Sequence, residues 1–208
     1  MDSRTIDSKV LIEELDEAGA GLSKGRALFL RHLGFPLLNS LISWERALDL
    51  FEKEGQKILT LAKSVPNEKF YERVLVGKLF GLEDNSRYYS VAMVLQHLLT
   101  VGNALQNRVP LLSQGKKLDK EVKIADYKPY MEIDPEIITV YETFLNGFRE
   151  KLETESDNIF LENRHEHPWF GSLRAKDWAV MGMIHQIVHR RQIEAIIHGM
   201  KQQELTHC

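Results

Sequence analysis

The chain has 208 residues, 43% of them hydrophobic and 27% charged, with a formal net charge of -3. That length allows one domain of generous size with a real hydrophobic core, and the evenly spread charge excludes the basic patch that a nucleic-acid or anionic-membrane partner would need. A single cysteine, Cys208, rules out an internal disulfide and fits a reducing compartment.

The opening MDSRTIDSKVLIEELDEAG carries acidic and basic residues throughout and has no apolar core of the secretory type, so a cytoplasmic location is expected. The strings VLIEELDEAG and GRALFLRHLG, both before the first long pattern, predict one or two short peripheral helices. Residues 1–33 therefore read as an N-terminal extension to a domain over residues 34–204. The first long helix is expected after Gly34, with Pro36 at its first position, where a missing N–H does no harm. Leu37, Leu41, Trp44, Leu48, Phe51 and Ile58 recur at spacings of three, four and seven and predict one apolar stripe running to about Ser64.

Asp84, Asn85 and Ser86 offer N-caps for a second helix from about Arg87 to Leu111, with Met93, Val94, His97, Val101 and Ala104 on one face. The stretch from Tyr88 to Asn107 lacks a formal charge and has the length of a membrane span. It also contains Ser90, Gln96, His97, Thr100, Asn103, Gln106 and Asn107, which fits a buried bundle helix better. From Leu112 to Ile133 the chain is polar and lysine-rich, with Gly115 and Pro129, and reads as a long connection that crosses or covers the bundle.

Asp134 and Pro135 form a cap and first turn for a third helix, whose stripe is Ile137, Tyr141, Phe144, Phe148 and Leu152, ending near Thr154. The string HEHPWFGSL, residues 165–173, predicts an aromatic loop packed over a bundle end. The fourth helix is expected to begin between Ser172 and Lys176. Four such stripes, with no alternating apolar and polar runs, predict an all-α four-helix bundle with a long crossover between helices two and three.

The chemistry is concentrated on the fourth helix. At about 100° per residue, with His185 at zero, Trp178 falls near 20°, Met181 near -40°, His189 near 40°, Gln192 near -20° and Ile196 near 20°. Lys176, Arg190 and Glu194 lie opposite, where solvent is expected. His97 faces inward from the second helix, so three imidazoles are brought toward one buried point. A neutral imidazole has one donor and one acceptor, and each costs about 1–3 kcal/mol if buried without a partner. Two readings stay open on this geometry: three ligands of a metal, or core histidines hydrogen-bonded to other protein groups. Ile184, Ile187 and Ile197 fall off the histidine face and suggest cover by a neighbour, which makes a homodimer the expected assembly.

Other residues carry weaker signals. His165 and His167 are candidates for a second metal or a substrate contact, with His167 more readily held structurally beside Pro168. Trp169, Phe170 and Trp178 are candidates for a cavity mouth or for packing. Gln192, one turn beyond His189, is a candidate to support a ligand or touch substrate, or to bond helix to helix. No carboxylate shares the histidine face to serve as a general base, and Tyr88, Tyr89 and Asn103 have no assignable role.

The string HQIVHRRQIEAI, residues 185–196, resembles the H-x-x-x-H-R-G-Q-I/L signature in the last helix of the DinB/YfiT-like metalloenzymes. HPWFGSLRAKDW, residues 167–178, is similar to the HP-x-FG-x-L segment that precedes that helix in one branch. SVAMVLQHLL, residues 90–99, resembles the second-helix S-x-x-x-V-L-x-H-L pattern. The resemblance covers about Pro36 to Gly199. It implies a four-helix bundle holding a divalent cation (zinc, nickel or iron) through His97, His185 and His189. Such a site keeps a coordination position open for water or a thiolate. The resemblance further implies a small-molecule substrate, with a low-molecular-weight thiol as co-substrate and a thiol-dependent transferase ahead of a hydrolase. Arg191 departs from the pattern: it replaces the glycine of HRGQ and occupies the glutamate position of the iron enzymes' HxxxHxE. The alternative is a helical interaction protein with no working metal site.

Overall fold

The computed structural model describes residues 15–17, 24–130 and 132–206. The stretch before residue 24 is therefore described only at 15–17, and the expectations for the rest of it, like Cys208, lie outside the described residues. The first described helix, α1 (Lys24–Phe29), continues through a wide π turn (Leu30–Gly34) into α2 (Phe35–Leu41). The helical path therefore does not start after Gly34. The wide turn falls immediately before Pro36, whose ring and missing N–H do not suit a regular helix interior.

The expected first stripe is split in two. Ile42 is extended, and Ser43 starts a new helix, α3 (Trp44–Lys63), its hydroxyl accepting from the Arg46 N–H at 3.1 Å. That break resets the helical phase. Leu37 and Leu41 are 59% and 73% exposed, while Ala47, Leu48, Phe51, Ile58, Leu59 and Ala62 of α3 are buried.

A short α4 (Asn67–Phe70) follows, and β1 (Val74–Leu75) pairs antiparallel with β2 (Tyr88–Tyr89), Val74 opposite Tyr89. Asp84–Arg87 is a 3₁₀ turn, so Asp84, Asn85 and Ser86 do not cap the next helix. Ser90 does: its hydroxyl accepts from the Met93 N–H at 3.2 Å and opens α5 (Val91–Ser113). The strand pair inserts between the turn and the helix, which moves the helix start beyond Arg87.

In α6 (Ile137–Glu155) the expected stripe is the buried one: Ile137, Tyr141, Phe144, Phe148 and Leu152. Asp134 accepts from the Glu136 N–H at 2.8 Å, fixing the entry turn. Phe148 stacks on Phe51 of α3 at 3.8 Å and meets Phe144 edge-on at 5.5 Å. Phe144 also lies against Gly102 of α5, where a β-carbon would come within 2.2 Å of its ring, so glycine there sets the approach of α5 to α6.

Residues 165–173, expected as a loop, form a hairpin, β3 (His165–His167) with β4 (Gly171–Leu173). Gly171, at φ +78°, makes the return. The last helix is α7 (Ala175–Thr206).

The fold is all-α, with two small two-stranded sheets among the described residues. Each of α3 and α5 packs against both α6 and α7. Gln114 Nε2 donates to the Glu155 carbonyl at one end, and Gln96 bonds the backbone of Tyr130 and Glu132 at the other. The helices α5 and α6 therefore run in the same direction, and residues 114–136 travel back along their length.

Lys176 was expected in solvent and is not: it is 7% exposed, its ammonium donating to the backbone and side-chain oxygens of Asn39. Arg190 is partly buried, paired with Glu54 of α3 and with Glu194 at 2.5 Å. The reason is that α2 lies against the first turn of α7, through Asn39, and α3 and α5 flank the rest of it, so a wheel with a single buried face misplaces the flanks. For the same reason Ile184, Ile187 and Ile197, off the histidine face, are partly buried against the core of their own chain. Among the described residues no helix is long and apolar enough to cross a membrane.

Candidate metal centre

His97 lies two turns into α5, and His185 and His189 lie one turn apart on α7, the helix packed against it. The ring centroids are 4.9 Å apart for His97 and His185, 4.6 Å for His97 and His189, and 4.3 Å for His185 and His189. One ring nitrogen from each lies within 4.8 Å of the other two. His189 is 4% exposed; His97 and His185 keep somewhat more surface. Among the described residues no carboxylate or thiol joins the group.

The outer nitrogens fix which nitrogens face inward. His97 Nδ1–H donates to the Tyr127 carbonyl at 2.6 Å, because a carbonyl can only accept. That leaves His97 Nε2 with its lone pair, 3.0 Å from His185 Nε2. His189 Nδ1–H donates to Gln192 Oε1 at 2.7 Å, and Gln192 Nε2 donates on to the Ser86 carbonyl at 2.6 Å. The carbonyl of Ser86 sets the orientation of the amide, which in turn sets the tautomer of His189.

A cation held at 2.0–2.1 Å by two imidazole nitrogens in tetrahedral geometry places those nitrogens about 3.3 Å apart. The observed 3.0 Å between His97 and His185 is close to this, and the His189 nitrogen lies within 4.8 Å of both. Burial pushes the His97 pKa down to about 4, the Tyr127 hydrogen bond opposing it, and holds His185 and His189 well below their usual range. All three are therefore neutral near pH 7, the form in which a lone pair is available to a metal. The donor set fits a divalent cation.

The strap that runs back along the bundle covers this group. Tyr127 supplies the carbonyl to His97, Arg108 donates to the Tyr127 hydroxyl at 3.1 Å, and Lys128 donates to Ser86 Oγ at 2.9 Å while pairing with Glu83. Sequence reasoning missed these contacts. Backbone carbonyls carry no residue-type signal, and nothing in the lysine-rich stretch marks Tyr127 or Lys128 as a contact.

The other candidates belong to the hairpin end. His167 is buried, its Nδ1 accepting from the Trp169 N–H at 3.1 Å and the Phe170 N–H at 3.4 Å. Burial, with Arg108 and Arg31 nearby, pulls its pKa down to about 3. That is a structural use, as the turn beside Pro168 suggested. His165 Nε2–H donates to the Lys120 carbonyl at 3.0 Å, and its Nδ1 is buried without a partner. Trp169 stands edge-on to His167 at 6.3 Å, and Trp178 lies beneath Arg108 at 4.3 Å, a cation–π contact. Among the three-residue groups of metal-ligating side chains in the described residues, His165 and His167 take no part.

No protein-family model matches this chain, and no curated protein sequence matches it. The fold and the buried group of three histidines, which could hold a metal, are therefore the grounds for a functional reading.

Proposed function

We propose that the protein is a metal-dependent enzyme of the DinB/YfiT-like kind, holding a divalent cation through His97, His185 and His189 and acting on a small molecule, with a low-molecular-weight thiol as co-substrate. The observation that carries this reading is the convergence of three neutral imidazoles, two of them turned inward by Tyr127 and Gln192. When bound, a divalent cation with three nitrogen ligands supplies a Lewis-acid position that lowers the pKa of water or a thiol.

The chain's own contribution is geometry and exclusion. Tyr127 and Gln192 orient the rings, and the strap limits access of water from one side. Among the described residues no carboxylate stands in the group to accept a proton, which favours a substrate that brings its own acidic nucleophile, a thiol, over hydrolysis assisted by a general base.

Elemental analysis of protein purified without an affinity tag, followed by titration with zinc, nickel and ferrous iron, tests the proposal. One equivalent of metal, lost in His185→Ala with helical content kept, is the expected result. Protein that carries no metal and acquires none would sink it. The second reading, a helical interaction protein with no working metal site, draws on the His97–His185 hydrogen bond, which satisfies two nitrogens without an ion. Hydrogen bonding alone does not account for the convergence of all three rings on one point, and for that reason we place it second.

A further inference from the structure

Beside the first turn of α7, on the N-terminal side of His185, lies a cavity of about 640 Å³ lined by residues of the π turn and α2 on one side and the hairpin on the other. Its volume is in the range of small-molecule sites. Its floor is apolar: Phe35 and Leu173 are buried, and Phe170 packs against Phe35 with centroids 4.9 Å apart.

Four cations line it, and they differ in how they are balanced. Arg164 and Arg174 share Glu162, and Arg174 also bonds Asp177. Asp177 is fully engaged, accepting from the Arg174 backbone at 2.9 Å and from Asn39 Nδ2 at 2.7 Å. Among the described residues, the side-chain hydrogen bonds of Arg31 and Lys176 go to neutral partners. The Arg31 guanidinium donates to the Pro168 carbonyl at 3.2 Å, and Lys176 donates twice to Asn39. An ammonium has three donors, so one N–H of this nearly buried lysine has no acceptor among the described residues. Burial pulls the Lys176 pKa below its usual range, with Arg174 adding to the shift and Asp177 opposing it.

The place of Arg31 is built rather than incidental. Its side chain lies across Gly171, where a β-carbon would come within 3.1 Å of Arg31 Cγ and Nε. Glycine is needed there for the positive φ and leaves the room the arginine stem occupies. Counting Glu162, Glu166 and Asp177 against the four cations leaves one positive charge over an aromatic floor.

We propose that this cavity binds a small organic monocarboxylate with an apolar body, its carboxylate held between Arg31 and Lys176 and its body against Phe35, Phe170 and Leu173. The site is separate from the histidine centre and does not depend on a metal there. The proposal combines charge-assisted hydrogen bonds with apolar burial, so neither a bare anion nor a neutral isostere should satisfy it.

Titration of the full chain with 4-fluorophenylacetate, followed by fluorine NMR, tests it. Saturable binding is expected, weakened about tenfold or more in Arg31→Gln, a surface substitution chosen to spare folding, and weakened comparably when 4-fluorophenethyl alcohol replaces the acid. His185→Ala should bind the probe unchanged, which separates this site from the metal centre. Failure to saturate, equal binding of the alcohol, displacement by equimolar inorganic phosphate, or loss of binding in His185→Ala with retention in Arg31→Gln would each overturn the proposal.

Discussion

Two histidine clusters lie along α7, and they put their nitrogens to different uses. In the group of His97, His185 and His189, the Nδ1 atoms of two rings donate outward, to Tyr127 and Gln192, the Nε2 atoms of His97 and His185 meet, and one nitrogen of each ring lies within 4.8 Å of the other two. In the hairpin, His167 Nδ1 accepts two backbone N–H groups of its own turn and His165 Nε2 donates to Lys120. Both clusters contain a deeply buried ring with a strongly lowered pKa. Burial and neutrality are thus common to a ligand candidate and a structural histidine. What separates them is whether the remaining lone pairs converge.

The sharpest way to break this contrast is His185→Ala, for which metal affinity is expected to fall more than about 100-fold while circular dichroism keeps the helical signal. Retention of one tightly bound equivalent would place the metal elsewhere. Next comes the amide that orients His189: Gln192→Leu should weaken metal binding by about 10–100-fold in a competition titration, and an unchanged affinity would mean that the Ser86–Gln192–His189 chain is only packing.

The hairpin should behave in the opposite way. His167→Ala is expected to lower the free energy of unfolding by about 1–3 kcal/mol in urea, through two turn N–H groups left without an acceptor, with metal stoichiometry unchanged. A loss of metal in this variant would erase the distinction.

The pH dependence sharpens it further. The folded pKa values of His97 and His167, about 4 and about 3, lie below the usual 6.5, so the unfolded chain binds protons first as the solution is acidified. The stability these groups contribute is present above pH 6.5 and is lost as the pH falls through that value toward 4 and 3. The expected slope is up to about 1.4 kcal/mol per pH unit per histidine. Denaturant curves of metal-free protein should show this decline, and His167→Phe should make it shallower. The smallest effect is expected for His165→Ala, within about 0.5 kcal/mol of the parent, since it removes one bond to an exposed loop along with an unpartnered nitrogen.

Much of the frame was legible in the chain. The α6 stripe from Ile137 to Leu152 is the buried one because that helix turns one face to α3 and α5, the case a periodic pattern describes. His185 and His189 share a face because four residues make about one turn. The stripe from Leu37 to Ile58 failed where Ile42 leaves the helix and Ser43 restarts it, a phase change that apolar spacing does not register. The hairpin at residues 165–173 was hidden by its shortness, since three residues on each strand give no alternation to detect.

By itself the sequence determined the buried face of α6, the inward direction of three imidazoles and the absence of a carboxylate on the His185–His189 face, because these follow from local periodicity and residue type. Only the tertiary structure decided what each nitrogen bonds to and which polar side chains are buried. Tyr127 reaches His97 across 30 positions, Ser86 reaches Gln192 across 106 and Asn39 reaches Lys176 across 137. Those contacts depend on the packing of distant elements, and two of them use backbone carbonyls that every residue carries. A pattern read along one helix can therefore place a ligand on the correct face, but the group that orients it is set by the fold.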